Sequence, residues 1–198
     1  MKLGIVGGTF DPVHVGHIAM AEAGADCAGL DRVLLIPSNV PPHRSAAVAP
    51  AADRLEMSRL AAAGHRRLEV SDIELRRPGP SYTVDTLRQL RTEHPGDELC
   101  LVLGWDAARD IGAWRSPDEL MRLAGLVIVT RPGYSRPSPA DLTAAGIDAA
   151  RVVICDAQTP DVDSTDVRRL IEEGGSLEGF LDPAVELYIR RRGLYLQP

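Results

Sequence analysis

Lysine is almost missing from this chain: Lys2 stands alone beside 21 arginines. Any site that needs a cation must therefore use arginine or histidine. A basic excess is missing too. The net charge is −6, which argues against a general nucleic-acid surface, since that requires a basic stripe. One small anionic ligand stays compatible, because a local cluster can override the global field. Long apolar runs are also lacking. Val33–Ile36 and Leu126–Val129 fall far short of the ~20 residues that span a bilayer, so no membrane association is expected. The first apolar run begins at Leu3 with no basic n-region and small-residue cleavage site, so no signal peptide is expected. Cysteine is scarce: Cys27, Cys100 and Cys155 are odd in number, widely spaced and form no Cys-x-x-Cys pair. They read as three reduced thiols filling core space in a cytoplasmic protein.

What is present is an ordinary globular composition. The 198 residues are 44% hydrophobic and 25% charged, which suits one domain and excludes a disordered tail, a collagen-like repeat or a disulfide-held miniprotein. Leu3–Val6 is a β-rich apolar run stopped by Gly7-Gly8. Val15–Cys27 has helical spacing, and Val33–Ile36 is a second buried run closed by Pro37. Strand, helix, strand with a crossover of this length predicts a parallel pair. Helices are expected at Ala51–Ala63, Thr83–Thr92, Ala107–Ile111, Pro117–Leu123, Ala140–Ala145 and Asp166–Glu173. Strands are expected at Leu99–Leu103, Leu126–Thr130 and Arg151–Cys155, with short extended pieces at Leu68–Val70 and Ile73–Leu75. Arg131–Pro139 reads as a linker. The last helix has a clear start in Asp182-Pro183 and a stop at Gly193. The alternation predicts an α/β doubly wound parallel sheet, with ligands outside the carboxyl ends of its strands.

The densest chemistry lies where the first strand meets the first helix, in Gly7-Gly8-Thr9-Phe10-Asp11-Pro12-Val13-His14-Val15-Gly16-His17. Two glycines let a ligand approach the backbone. His14 and His17, three apart, share one helix face. That face sits at a helix N-terminus, where N–H groups and the dipole favour phosphate. Neither the dinucleotide fingerprint nor the Walker A pattern is present. His-x-x-His could begin a zinc site, but no Cys or carboxylate joins it at ligand spacing, so no resident metal is expected.

This stretch resembles the nucleotidyltransferase superfamily motif, and in its full form that of the bacterial nicotinate-nucleotide adenylyltransferases. Further matches follow in order: Pro41-Pro42-His43-Arg44, Ser81-Tyr82-Thr83 with Asp85-Thr86-Leu87, Gly104-Trp105-Asp106 with Trp114, Asp163–Arg168, and Tyr188-Ile189 with Leu194-Tyr195. The resemblance covers roughly residues 3–196. It implies a Rossmann-like sheet with a small C-terminal helical extension, in one domain spanning 1–198 whose part from about 140 to 198 is a helical subdomain. It implies adenylyl transfer from ATP to nicotinic acid mononucleotide, giving deamido-NAD and pyrophosphate by direct attack, with Mg²⁺ carried on the ATP.

The resemblance also distributes roles. His14, His17 and Arg44 would be catalytic. ATP would meet Gly7, Gly8, Thr9, Phe10, His14, His17, Gly104, Asp106, Ser164, Thr165 and Arg168. The mononucleotide would meet Thr9, Arg44, Tyr82, Thr83 and Trp114, with Trp114 stacked on the pyridine ring. The chain departs from the family pattern at three places. Arg44 stands where lysine is usual, Trp105 where a small residue is usual, and Asp163 where serine is usual. A monomer or small homo-oligomer is expected. Rival readings are a pantetheine-phosphate adenylyltransferase, an enzyme preferring nicotinamide mononucleotide, and a nucleotide-binding regulator without turnover.

Overall fold

The computed structural model describes residues 1–41, 47–130 and 135–196. His43 and Arg44, and residues 131–134 of the expected linker, lie outside the described residues. In chain order the elements are β1 (Lys2–Gly8), α1 (Val15–Ala28), β2 (Arg32–Pro37), α2 (Ala51–Ala62), β3 (Leu68–Val70), α3 (Thr83–Glu93), β4 (Glu98–Gly104), α4 (Trp105–Ala108), α5 (Pro117–Leu123), β5 (Gly125–Thr130), α6 (Pro139–Ala144), β6 (Val152–Asp156), α7 (Ser164–Glu172) and α8 (Pro183–Arg192), with short 3-10 turns at Ile111–Ala113 and Ala149–Arg151.

The strands form one parallel sheet in the order β3-β2-β1-β4-β5-β6. Strands buried on both faces read as continuous apolar runs, and successive side chains then serve opposite cores. Val6, Leu35, Val102 and Val129 join one core with Ala21, Met57, Val167 and Val185. Their chain neighbours Ile5, Leu34, Leu101 and Ile128 join the other, with Leu87, Leu90 and Leu120. Helices α1, α2, α7 and α8 thus cover one face, and α3 and α5 the other. The stretch expected as a helical extension also supplies the edge strand β6, which pairs with β5 from Val152 to Asp156. The last helix forms as its signals dictate: the Asp182 carboxylate accepts from the Ala184 N–H at 2.8 Å, and Gly193 closes it at φ 62°. No helix among the described residues is long and apolar enough to cross a membrane.

Two expectations are corrected. Residues 73–76 form a turn rather than an extended piece, because Ile73 anchors in the second core while Glu74 turns inward to the Thr86 hydroxyl. The three cysteines are not all thiols. Cys27, in the last turn of α1, is disulfide-bonded to Cys155 on β6, with their Cα atoms 5.9 Å apart; Cys100 stays a free, buried thiol whose pKa burial pushes up. The bridge closes a chain segment with a sequence separation of 128. A cross-link over so long a loop limits the unfolded chain and stabilises by ~2–4 kcal/mol. Cys27→Ser, or full reduction, is expected to lower the thermal midpoint by roughly 5–15 °C for a domain of this size. Calorimetry with and without a dithiol reductant checks this, and an unchanged midpoint contradicts it.

Candidate functional site

In this strand order β1 and β4 are neighbours whose outgoing connections run to opposite faces, and the crevice beyond their carboxyl ends is where open α/β sheets bind ligands. Gly8 ends β1 there, and Gly104 ends β4. The loop between β1 and α1 is tightly built. Phe10 is buried and takes φ 50°, a strained setting for a bulky residue that clusters at functional sites. Its ring lies over Gly8, where an added Cβ would meet Phe10 Cε1 at 2.9 Å, so a side chain at position 8 would displace the ring. The same ring meets His17 edge-on, with centroids 4.9 Å apart. The Asp11-Pro12 peptide is cis.

His14 occupies the N-cap of α1 and is buried, and His17 lies half-buried one turn on. The two rings lie on one side, as their spacing predicts, and stack with centroids 3.7 Å apart. The His14 main-chain N–H donates to His17 Nδ1 at 3.3 Å. A neutral His17 whose Nδ1 accepts carries its ring proton on Nε2, the form that donates to an anionic oxygen. Gly16 lets the segment before α7 close in: a Cβ there would meet His14 Nδ1 at 3.1 Å and the Pro160 carbonyl at 3.3 Å.

Helix α7 is tied to this loop. Ser164 Oγ donates to the Pro12 carbonyl at 3.0 Å, and Arg168 Nη1 donates to the Asp11 carbonyl at 2.7 Å. The structure therefore brings Ser164, Thr165 and Arg168 beside Thr9–His17, although about 150 residues separate them in sequence. Asp163, not Ser164 or Thr165, is the N-cap, and its carboxylate accepts from the N–H groups of Thr165 at 2.7 Å and Asp166 at 2.9 Å. A serine at that position would cap without adding a negative charge to the end of the helix.

Across the crevice, Asp106 is exposed on α4, while Trp105 and Trp114 are half-buried against the second core. Tyr82 is the N-cap of α3, with the Arg115 guanidinium 4.5 Å from its ring centroid, within cation–π range. Thr83 is the first residue of α3, and the first N–H groups of a helix have no intrahelical acceptor. This end is held from below by buried polar groups. Thr86 Oγ1 donates to Glu74 at 2.6 Å, and Arg77 Nη2 reaches Thr86 Oγ1 at 2.9 Å. Burial pushes the Glu74 carboxyl above its ordinary pKa, against hydrogen bonds from Thr86 and Ser81 and the Arg77 charge.

Asn39, Arg54 and Glu74 lie outside every motif named above. Arg54 did carry a legible signal. It shares the buried face of α2 with Met57, Ser58 and Ala61, at helical spacing. A charged residue on a core-facing stripe marks either a buried ion pair or a hydrogen-bonding post.

Comparisons with known proteins bear on this arrangement. A family model described as cytidylyltransferase-like matches residues 5–170. A protein of Synechococcus sp. (strain JA-3-3Ab), named "Probable nicotinate-nucleotide adenylyltransferase", is 44% identical over 198 residues, covering 100% of this chain and 96% of the relative. One of the same name from Thermus thermophilus is 43% identical over 197 residues, covering 98% and 100%. Among solved structures, the Plasmodium falciparum nicotinic acid mononucleotide adenylyltransferase complexed with NaAD superposes with a TM-score of 0.82 at 16% identity, over 98% of this chain and 97% of that one. At that identity it shows a common fold.

Proposed function

The chain belongs to the cytidylyltransferase-like family and within it to the nicotinate-nucleotide adenylyltransferases of NAD biosynthesis, and from that membership we propose how it joins nicotinic acid mononucleotide to the adenylyl group of ATP. A 5′-phosphate oxygen of the mononucleotide attacks the ATP α-phosphorus. The new P–O bond forms as the bond to the bridging oxygen breaks, and its electron pair leaves with pyrophosphate. Deamido-NAD is the other product. No covalent enzyme intermediate is required, because such transfers need positioning and charge stabilisation more than a protein nucleophile.

The observation that carries the reading is the stacked His14–His17 pair at the N-terminus of α1, set at the β1/β4 crevice. His17 would donate from Nε2 to an α-phosphate oxygen, with the helix end adding favourable potential. Thr9 and Phe10 lie in the loop that leads into the pair, with Gly7 and Gly8 leaving the backbone open to the nucleotide. Ser164 and Arg168 hold that loop from the α7 side, and with Thr165 they would face the β- and γ-phosphates. Gly104 and Asp106 would meet the ATP ribose. Arg44 would add a cation to the phosphates. Mg²⁺ would arrive as part of the substrate Mg-ATP. Among the described residues no three His, Cys, Asp or Glu side chains converge on a metal position. The imidazoles beside the phosphates suit oxyanions better than Mg²⁺, which takes oxygen ligands.

On the acceptor side, Trp114 would stack on the pyridine ring, and Tyr82 and Thr83 would present the start of α3 to its carboxylate. A partly buried helix end is worth up to ~2 kcal/mol to a negative charge. The acid mononucleotide is therefore expected to exceed the neutral amide in kcat/KM by roughly tenfold or more. Pyrophosphate release from Mg-ATP, followed separately with nicotinic acid mononucleotide, nicotinamide mononucleotide and phosphopantetheine, tests this. Preference for either of the last two overturns the acceptor assignment. Silence with all three from folded, ATP-binding protein would mark a nucleotide-binding regulator.

A further inference from the structure

Arg54 is 1% exposed in the first turn of α2. Burying a guanidinium is costly unless its donors are met. Here they go to main-chain carbonyls of three separate segments. Nη1 donates to Thr9 at 2.6 Å, Nε to Ala49 at 3.2 Å and Nη2 to Asn39 at 3.4 Å. Arg54 forms no ion pair among the described residues, and the Asp11 carboxylate, whose charge it feels, is engaged by the N–H groups of Val48 and Ala49 and by the Tyr195 hydroxyl. The planar fork of arginine suits this task, because its donors hold fixed mutual directions that a lysine ammonium lacks.

The bridged segments are the ones that the proposed reaction must align. Thr9 lies in the loop leading to His14 and His17. Asn39 leads to the acceptor side: its N–H donates to Ser81 Oγ at 2.9 Å, its side-chain amide donates to the Arg77 carbonyl at 3.0 Å, and the Ser81 N–H returns to the Val40 carbonyl at 2.8 Å. Ser81 directly precedes Tyr82 and Thr83. We propose that Arg54 is a positioning residue that sets the ATP-side loop at Thr9 against the mononucleotide-side segment at Asn39 and Ser81, and so aligns the attacking and receiving phosphates. The proposal rests on the adenylyl-transfer reading above. It concerns a buried residue whose guanidinium is spent on main-chain carbonyls.

A positioning role and a merely structural one separate in the kinetics. A misplacement near 1 Å from a distant change costs up to ~100-fold in rate. Arg54→Met is expected to lower kcat by roughly 30–100-fold in folded protein, with KM for ATP and for the acceptor each within about threefold. Arg54→Lys, which keeps the charge and can reach one carbonyl, is expected to recover part of that kcat. Assays run well below the thermal midpoint of each variant, with near-UV circular dichroism confirming the fold. A lowered midpoint with wild-type kcat and KM overturns the proposal. Should Arg54→Met not fold, Asn39→Ala and the double variant Arg54→Lys/Asn39→Ala decide the matter. Two links in one chain give a double loss in kcat smaller than the product of the single losses, whereas full multiplicativity overturns the proposal. The ratios are taken with whichever acceptor the wild-type protein uses. A wrong acceptor therefore sinks the substrate reading while the effect of Arg54 is still measured.

Discussion

His17→Ala lowers kcat for adenylyl transfer by about 10²–10³ while the protein stays folded, the loss expected when one preorganised donor to a developing oxyanion is removed. His17 is held edge-on by Phe10 and face-on by His14, and its Nδ1 accepts the His14 N–H, so ring orientation and tautomer are set before substrate arrives. Donors fixed in advance need no reorganisation during reaction, which is why they are worth more than the same group in water. The fold is expected to survive, because His17 is half-buried in the first turn of a helix and alanine has the better helix propensity. Steady-state pyrophosphate release alongside near-UV circular dichroism checks the prediction. Activity within fivefold of wild type would remove His17 from the mechanism.

Asp11→Ala is expected to cost ~3–5 kcal/mol of stability, because it strands three donors at about 1–3 kcal/mol for each one left buried and unsatisfied. Asp11 is 5% exposed and accepts from the N–H groups of Val48 at 2.7 Å and Ala49 at 3.0 Å and from the Tyr195 hydroxyl at 2.8 Å. It thereby joins the loop before α1, the entry to α2 and the C-terminal segment. Burial, with the Asp11 charge and hydrogen bond adding to it, pushes the Tyr195 hydroxyl far above its ordinary pKa, so it stays a donor. Without Asp11, three donors lose their acceptor. Arg54, whose pKa burial pulls down and the Asp11 charge pushes back up, then loses that counter-charge. For a domain near 200 residues this corresponds to a fall of roughly 6–20 °C in thermal midpoint. Urea unfolding by two probes measures it, and a loss under 1 kcal/mol would mean that Asp11 is replaceable by solvent or by relaxation of the loop.

Both residues sit in the stretch where the sequence is most legible, yet only one had a readable role. His14 and His17 announce themselves because spacing along a helix is local: three residues apart puts two rings on one face whatever the rest of the chain does. Asp11 sits in the same motif, but its partners are Val48, Ala49 and Tyr195, which no spacing rule connects to it. The three departures from the family pattern differ in the same way. Asp163 proves to be the cap of α7, and Trp105 packs on the second core. Arg44 lies outside the described residues, and its part at the phosphates stands on the resemblance.

The sequence by itself determined the parallel sheet, the buried strands, the helix at Asp182-Pro183 to Gly193 and the histidine pair, because backbone sterics and side-chain periodicity act over a few residues. The tertiary structure alone decided what meets across the fold. It paired Cys27 with Cys155, gave the α7 cap to Asp163, turned Glu74 inward beneath α3 and aimed Arg54 at three loops. These contacts depend on how crossover connections stack helices on a twisted sheet, and that packing is a property of the whole chain.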